Sequence, residues 1–141
     1  AAYRSQIDSS NLAIIEKLIN RYGWMGKSLI GISGNHTQWL LIQHAPYSVQ
    51  NKYLSLLESS VNFGESRSVD LAYLEDRIRM NEGRKQRYGT QLQSDEQGVF
   101  RIYPIEDEEH VDERRRELGL PTMEEYAKRF GLEYVGVKPV K

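Results

Sequence analysis

Two side chains in this sequence, Asp76 and His44, have the type and position that acid–base chemistry asks for. On a helical wheel Val69, Ala72, Tyr73 and Met80 fall on one side and Leu71, Leu74 and Ile78 on the other, with Asp76 inside the first group. A carboxylate among apolar neighbours has to be paired, hydrogen-bonded or protonated, because burying it alone is costly or drives its pKa upward. Asp76 is therefore either catalytic or half of a buried pair with an arginine or a helix terminus, and the residue types weigh the two evenly. His44 follows Gln43 in a stretch apolar on nearly every side, which expects both to touch the interior or line a cleft. Its ordinary pKa of about 6.5 makes it the best general acid or base in the chain; a lone histidine in such a place is nevertheless more often a packed core residue. Gln50, between Tyr53 and Leu57 on an apolar face, adds another amide to this set. Gly83 to Gln91 is dense in donors and acceptors, which suits either a ligand or a turn entering a hairpin. Arg114 and Arg115 flank the apolar line from Val111 to Leu118, so one of them can point inward as the partner of Asp76 or of a substrate anion.

Other motifs fail. Gly26-Lys27-Ser28 has the end of a phosphate loop, but Arg21 stands where the earlier glycine is required and no strand precedes it. His36 and His44 are separated by about 12 Å of helical rise, too far to share a metal, and no metal or other cofactor is expected. Asn35-His36-Thr37 matches a glycosylation acceptor by chance alone. There is no nucleophile elbow, and nothing singles out a pair of glycosidase carboxylates. With Cys 0, disulfides, thiolate metal sites and a cysteine nucleophile are excluded.

The elements that would position these residues are mostly helical. Asp8, Ser9 and Ser10 offer N-caps to a helix with Leu12, Ile15, Leu18, Ile19 and Tyr22 at helical spacing, and Gly23 ends it. Gly23 to Gly34, rich in glycine and serine, reads as a structured loop holding Trp24 and Leu29 on the core. A helix buried all round follows from about Asn35 to Ala45. Pro46 starts a third helix, with Val49, Tyr53, Leu54, Leu57 and Val61 on one face, closed by Phe63-Gly64. A fourth runs from Ser66 or Ser68 to Asn81, with Gly83 past its end. Tyr88 to Leu92 and Val99 to Pro104 read as a β-hairpin. Helix returns from Glu108 to Leu118, and Thr122 with Glu125 forms a capping box opening a last helix that ends near Gly131. Glu133 to Val137 suits an edge strand. The expectation is a mainly α, single-domain bundle of five to six helices with a small β-hairpin, spanning residues 1–141.

Composition narrows the partners. A net charge of -1 gives no global attraction for nucleic acid or anionic membrane. Locally, Arg77, Arg79, Arg84, Lys85 and Arg87 oppose the acids between Glu106 and Glu113, and mutual neutralisation is favoured over a dedicated binding patch. No apolar run approaches the ~20 residues that span a bilayer. The start at Ala1-Ala2 leans toward an exported product over a cytoplasmic one.

Gln43-His44, Leu71-Ala72-Tyr73-Leu74-Glu75-Asp76-Arg77, Gly83 with Gln86, Tyr88-Gly89-Thr90-Gln91, and Arg114-Arg115 with Gly119-Leu120 occur in an order that resembles an uncharacterised bacterial family known only as a domain of unknown function. The resemblance covers most of residues 20 to 130, and the Tyr-Gly-Thr-Gln run is its most specific part. Pro46 stands where the family has an acid, and Lys85 where it has a proline. The resemblance implies a shared fold and a shared polar site at His44, Asp76, Arg77, Gln86, Tyr88 and Gln91, without supplying an activity.

Two functions stay open. In the first, the chain is a small hydrolase or lyase acting on a small polar or anionic substrate: His44 exchanges a proton, Asp76 orients it or acts as the second acid–base group, and Arg77 or Arg115 holds the anion beside Gln86, Tyr88 and Gln91. In the second, the same residues form a buried structural network in a non-catalytic binding or interaction module. Nucleic-acid binding through Arg79, Arg84, Lys85 and Arg87 is a distant third.

Overall fold

The structure, a computed structural model, describes residues 2–136. Its architecture is mainly α, six helices with one two-stranded antiparallel hairpin. The chain divides into two compact units, Ala1–Leu71 and Ala72–Lys141.

The first unit contains helices α1 (Ala2–Tyr22), α2 (Lys27–Gln43) and α3 (Tyr47–Asn62) and the start of α4 (Ser68–Asn81). Helix α1 begins well before Asp8, Ser9 and Ser10, so these residues are interior to it rather than its caps. Gly23 ends the helix as its residue types require, with φ +74°. Of the expected loop from Gly23 to Gly34, residues 23–26 are non-helical, whereas residues 27–34 form the first part of α2. That segment is divided by Gly31, whose φ of 79° and ψ of 169° interrupt the helix, and Leu29 is exposed rather than packed. Residues of a distant turn let α2 start so early. Lys27 donates its amide to the Glu65 carbonyl (2.9 Å), while the Ser28 amide and hydroxyl reach the Glu65 carboxylate at 2.9 and 2.7 Å. The carboxylate thus fills a helix N-terminus, where the backbone donors and the dipole favour negative charge. Beyond Gly31 the helix buries Asn35, Gln38, Trp39, Ile42 and Gln43 but leaves Leu40 exposed, so it is one-sided rather than buried all round.

Helix α3 starts after Pro46 and buries Gln50, Tyr53 and Leu57, the face its spacing predicts. Burying a side chain such as Leu57 fully contributes about 1.5–3 kcal/mol over leaving it in water. In α4, Asp70, Leu74 and Ile78 are buried on one side and Ala72 and Asp76 on the other, in agreement with the wheel.

The second unit carries β1 (Leu92–Ser94), β2 (Phe100–Ile102), a 3-10 turn (Glu108–His110), α5 (Val111–Glu117) and α6 (Met123–Arg129). The strands pair Leu92 with Ile102 and Ser94 with Phe100, so the hairpin is shorter than its sequence suggests, and Tyr88 to Gln91 lies outside it. Asp95 shapes the turn by accepting the amides of Gln97 and Val99. The expected helix at Glu108 opens as the 3-10 turn before becoming α5. Gly119 (φ +73°) closes α5, and α6 begins at the Thr122–Glu125 capping box. Residues 133–136 form no strand, and Val137 lies outside the described residues. The unit's core gathers Ile105, Val111, Met123 and Tyr126, flanked by Ile102 and Tyr134.

Candidate functional site

Asp76 is fully buried on α4 and surrounded by hydrogen-bond donors. Its Oδ1 accepts the Arg87 amide at 2.8 Å, and its Oδ2 accepts the Thr90 amide at 3.1 Å and the Thr90 hydroxyl at 2.8 Å. The Tyr88 amide lies 3.2 Å from both oxygens. Burial pushes the Asp76 carboxyl up from its ordinary value, and the amides of Arg87, Thr90 and Tyr88 together with the Thr90 hydroxyl oppose it. Every partner donates. A protonated oxygen would have to turn its hydrogen toward one of these N–H groups, so the surroundings are built for the carboxylate.

The segment that Asp76 holds by its amides is held by its carbonyls as well. Arg114 donates Nε to the Arg87 carbonyl at 2.9 Å, and Arg115 donates Nη1 to the Tyr88 carbonyl at 2.6 Å. The Tyr126 hydroxyl reaches the Thr90 carbonyl at 2.7 Å. Gln86 closes the loop on itself, its Oε1 accepting the Gln91 amide at 2.8 Å and its Nε2 donating to the carbonyls of Gln91 (3.0 Å) and Tyr103 (2.7 Å). The Gln91 side chain donates to the Thr90 hydroxyl oxygen at 3.0 Å, which orients that hydroxyl's own proton toward Asp76. A stretch of backbone with no secondary structure of its own is thereby satisfied by side chains, as buried polar groups must be. Gly89 sits at its centre with φ +69°, and a Cβ there would run into the Met123 sulfur and come within 2.7 Å of its methyl carbon.

Arg115 is buried and spends its charge on carbonyls rather than on Asp76. Its Nε donates to the Pro121 carbonyl (2.5 Å) and its guanidinium lies 4.9 Å from the Tyr126 ring centre, while Nη2 is buried without a hydrogen-bond partner. Asp76, Gln86, Tyr88, Gln91 and Arg115 are therefore brought together in the second unit. Arg77 is half-buried, with its Nε lacking a hydrogen-bond partner. His44 belongs to the first unit, where it follows the last turn of α2 and is exposed rather than interior. The opposed charges of the basic and acidic segments do meet, at Arg79–Glu106 (3.5 Å). Among the described residues, Asp107, Glu109 and His110 are the one group with ligand atoms close enough for a metal, but all three are exposed and Arg114 Nη1 stands 3.4 Å from Asp107.

The residue types alone did not point to Tyr126, whose hydroxyl reaches a backbone carbonyl, and they marked Thr90 only as part of the donor-rich run and Arg114 only as one of two arginines able to turn inward. Nor did they point to two polar groupings of the first unit. Ser66 Oγ accepts from Trp24 Nε1 (3.2 Å) and Asn35 Nδ2 (2.9 Å) and so donates to Ser60 (2.7 Å). Buried Asp70 faces His36 Nδ1 at 3.8 Å, beyond hydrogen-bond length. Burial pushes Asp70 up from its ordinary value, opposed by Arg67 and His36. Asp70's place in the first turn of α4 was the available signal.

Fold and site together define a mainly helical chain whose second unit is built around one carboxylate-held backbone segment. A model described as a family of unknown function, DUF6624, matches residues 2–139, and the chain belongs to that family. No curated protein and no solved structure matches it. Among the described residues, no helix is long and apolar enough to cross a membrane.

Proposed function

We propose that this chain is a non-catalytic interaction module in which Asp76, Gln86, Gln91, Arg115 and their neighbours fix one backbone segment, so that the surface of the second unit is presented to a partner in a single shape. The observation that carries this reading is the complete occupation of the Asp76 carboxylate by four donor groups. A general acid or base needs an oxygen free to meet substrate, and Asp76 has none free. A satisfied polar network is instead a device for specifying one packing. The substrate-binding reading of Arg77 draws on its bare Nε, and that of Arg115 on its bare Nη2; these donors suit an anion, but Arg115 is already fixed by two carbonyls. We further take residues 1–141 to be one folding domain, since α4 runs through the boundary of the two units.

The test is thermal and chemical unfolding of Asp76→Ala. Leaving several buried donors unmatched is expected to cost about 3–5 kcal/mol, with wild type melting in one transition. An alanine variant as stable as wild type would overturn the structural role, because a catalytic carboxylate removed from a cleft leaves the fold intact.

A further inference from the structure

Among the described residues, the ladder between β1 and β2 leaves one side of β2 unpaired. The Tyr103 amide reaches the Gln91 carbonyl at 3.1 Å and the Asp95 amide reaches the Val99 carbonyl at 3.0 Å, which sets the alternation of the pair. Residues in the intervening positions turn their N–H and C=O groups outward. Those residues are Phe100 and Ile102, and no described residue outside the hairpin makes a backbone hydrogen bond to either. Such an edge is a template for one more strand.

Beside that edge runs a groove of about 560 Å³, walled by Phe100, Ile102, Tyr103, Pro104, Leu132 and Tyr134. It shares Glu108, Tyr134 and Gly136 with a second hollow of about 200 Å³. The carboxylates on the two are Glu108, Glu109, Asp112, Glu124 and Glu133; among the described residues the lining holds one guanidinium, that of Arg101, which leans to Asp95 at 3.8 Å, while from outside the lining Lys128 pairs with Glu124 at 3.1 Å and His110 stands 3.8 Å from Glu109. Tyr134 donates to Glu108 at 2.9 Å, which fixes the ring where the apolar groove turns acidic. The surface therefore offers strand hydrogen bonds, aromatic walls and a negative rim, and each asks for something different of its ligand.

We propose that the outer edge of β2 and this groove bind an extended peptide segment of a partner protein, one that alternates apolar side chains with lysine or arginine. The segment adds as a third strand beside Phe100 and Ile102, its apolar side chains lie on Tyr103 and Tyr134, and its cations meet Glu109 and Glu133. This rests on the interaction-module reading and names the surface and the chemistry of its partner.

The experiment titrates the full chain, labelled with nitrogen-15, with an octapeptide alternating valine and lysine and with a matched octapeptide of valine and glutamate. The expected result is saturable shifts of the Phe100, Arg101, Ile102 and Tyr134 amides with the lysine peptide alone, and affinity about tenfold weaker in the double variant Glu109→Lys, Glu133→Lys. Equal binding of both peptides, no binding, undiminished affinity of the double variant, or shifts of the same amides with protein concentration alone would each overturn it, the last by assigning the edge to a second copy of the chain. Failure here with Asp76→Ala still strongly destabilised removes this surface and leaves the module reading standing; a stable Asp76→Ala protein removes that reading whatever the peptides do.

Discussion

The two units bury polar side chains for different ends. In the first, amides hold the connection between α1 and α2 and the end of α2: Asn35 and Gln38 donate to the Met25 carbonyl at 3.0 Å each, Gln38 also accepts the Met25 amide at 3.1 Å, and Gln50 donates to the Gln43 carbonyl (2.8 Å). In the second, a carboxylate and two guanidiniums hold a segment that has no helix or strand to fall back on. A neutral amide that loses its partner frays one helix end. An ionised group that loses its partners leaves several buried donors or acceptors unmatched at once, so the second unit is expected to be the more sensitive to substitution.

Asp76→Ala is the largest expected break in that contrast. Gly89→Ala comes next and tests the segment without touching its hydrogen bonds. The new methyl would meet Met123 and the backbone would be held at φ +69°, so a loss of about 2–4 kcal/mol is expected in a urea melt. A Gly89→Ala protein with the wild-type midpoint would mean that the segment is soft, and the contrast between the units would vanish.

Gln38→Leu probes the first unit with a side chain of similar bulk. Met25 would lose a donor to its carbonyl and an acceptor for its amide, while Asn35 would still serve the carbonyl. The expected loss is about 1–2 kcal/mol by the same melt. A loss as large as that of Asp76→Ala would erase the distinction between amide and ionic networks.

How much of this could be read in the residues depended on whether the signal was local. Helices α3, α4 and α6 follow from spacing, Pro46, Gly83 and the Thr122–Glu125 box, all within a turn of the element they define. The start of α2 could not be read that way, since the carboxylate that caps it comes from Glu65, and of the glycines that look like one loop Gly23 and Gly26 lie in the connection while Gly31 only kinks the helix. Tyr88 to Gln91 has strand-forming residues, yet Asp76 takes the amides that a strand would use. The inward direction of Asp76 was legible on the wheel. Its partners were not, because most are peptide groups, and no residue type announces a peptide N–H. His44 misled for a related reason: the apolar stretch before it ends one residue earlier, and the histidine falls where α2 has already opened to solvent.

The finest test of the contrast concerns Glu65, which does for α2 with an exposed carboxylate what Asp76 does for residues 87–90 with a buried one. Hydrogen bonds from the Ser28 hydroxyl, and then from the Ser28 amide, hold the Glu65 carboxyl below its ordinary value of 4.5. A carboxylate whose pKa is lowered on folding contributes stability that is fully present above its unfolded pKa and is lost as pH falls through the folded one. The stability difference between wild type and Glu65→Gln should therefore be small, present at neutral pH, and gone in acid below the folded midpoint. Carbon-13 NMR should put that midpoint under 4.5 in wild type and move it upward in Ser28→Ala. A Glu65 midpoint at the ordinary value would show the cap to be open in solution, and the early start of α2 would then need another cause.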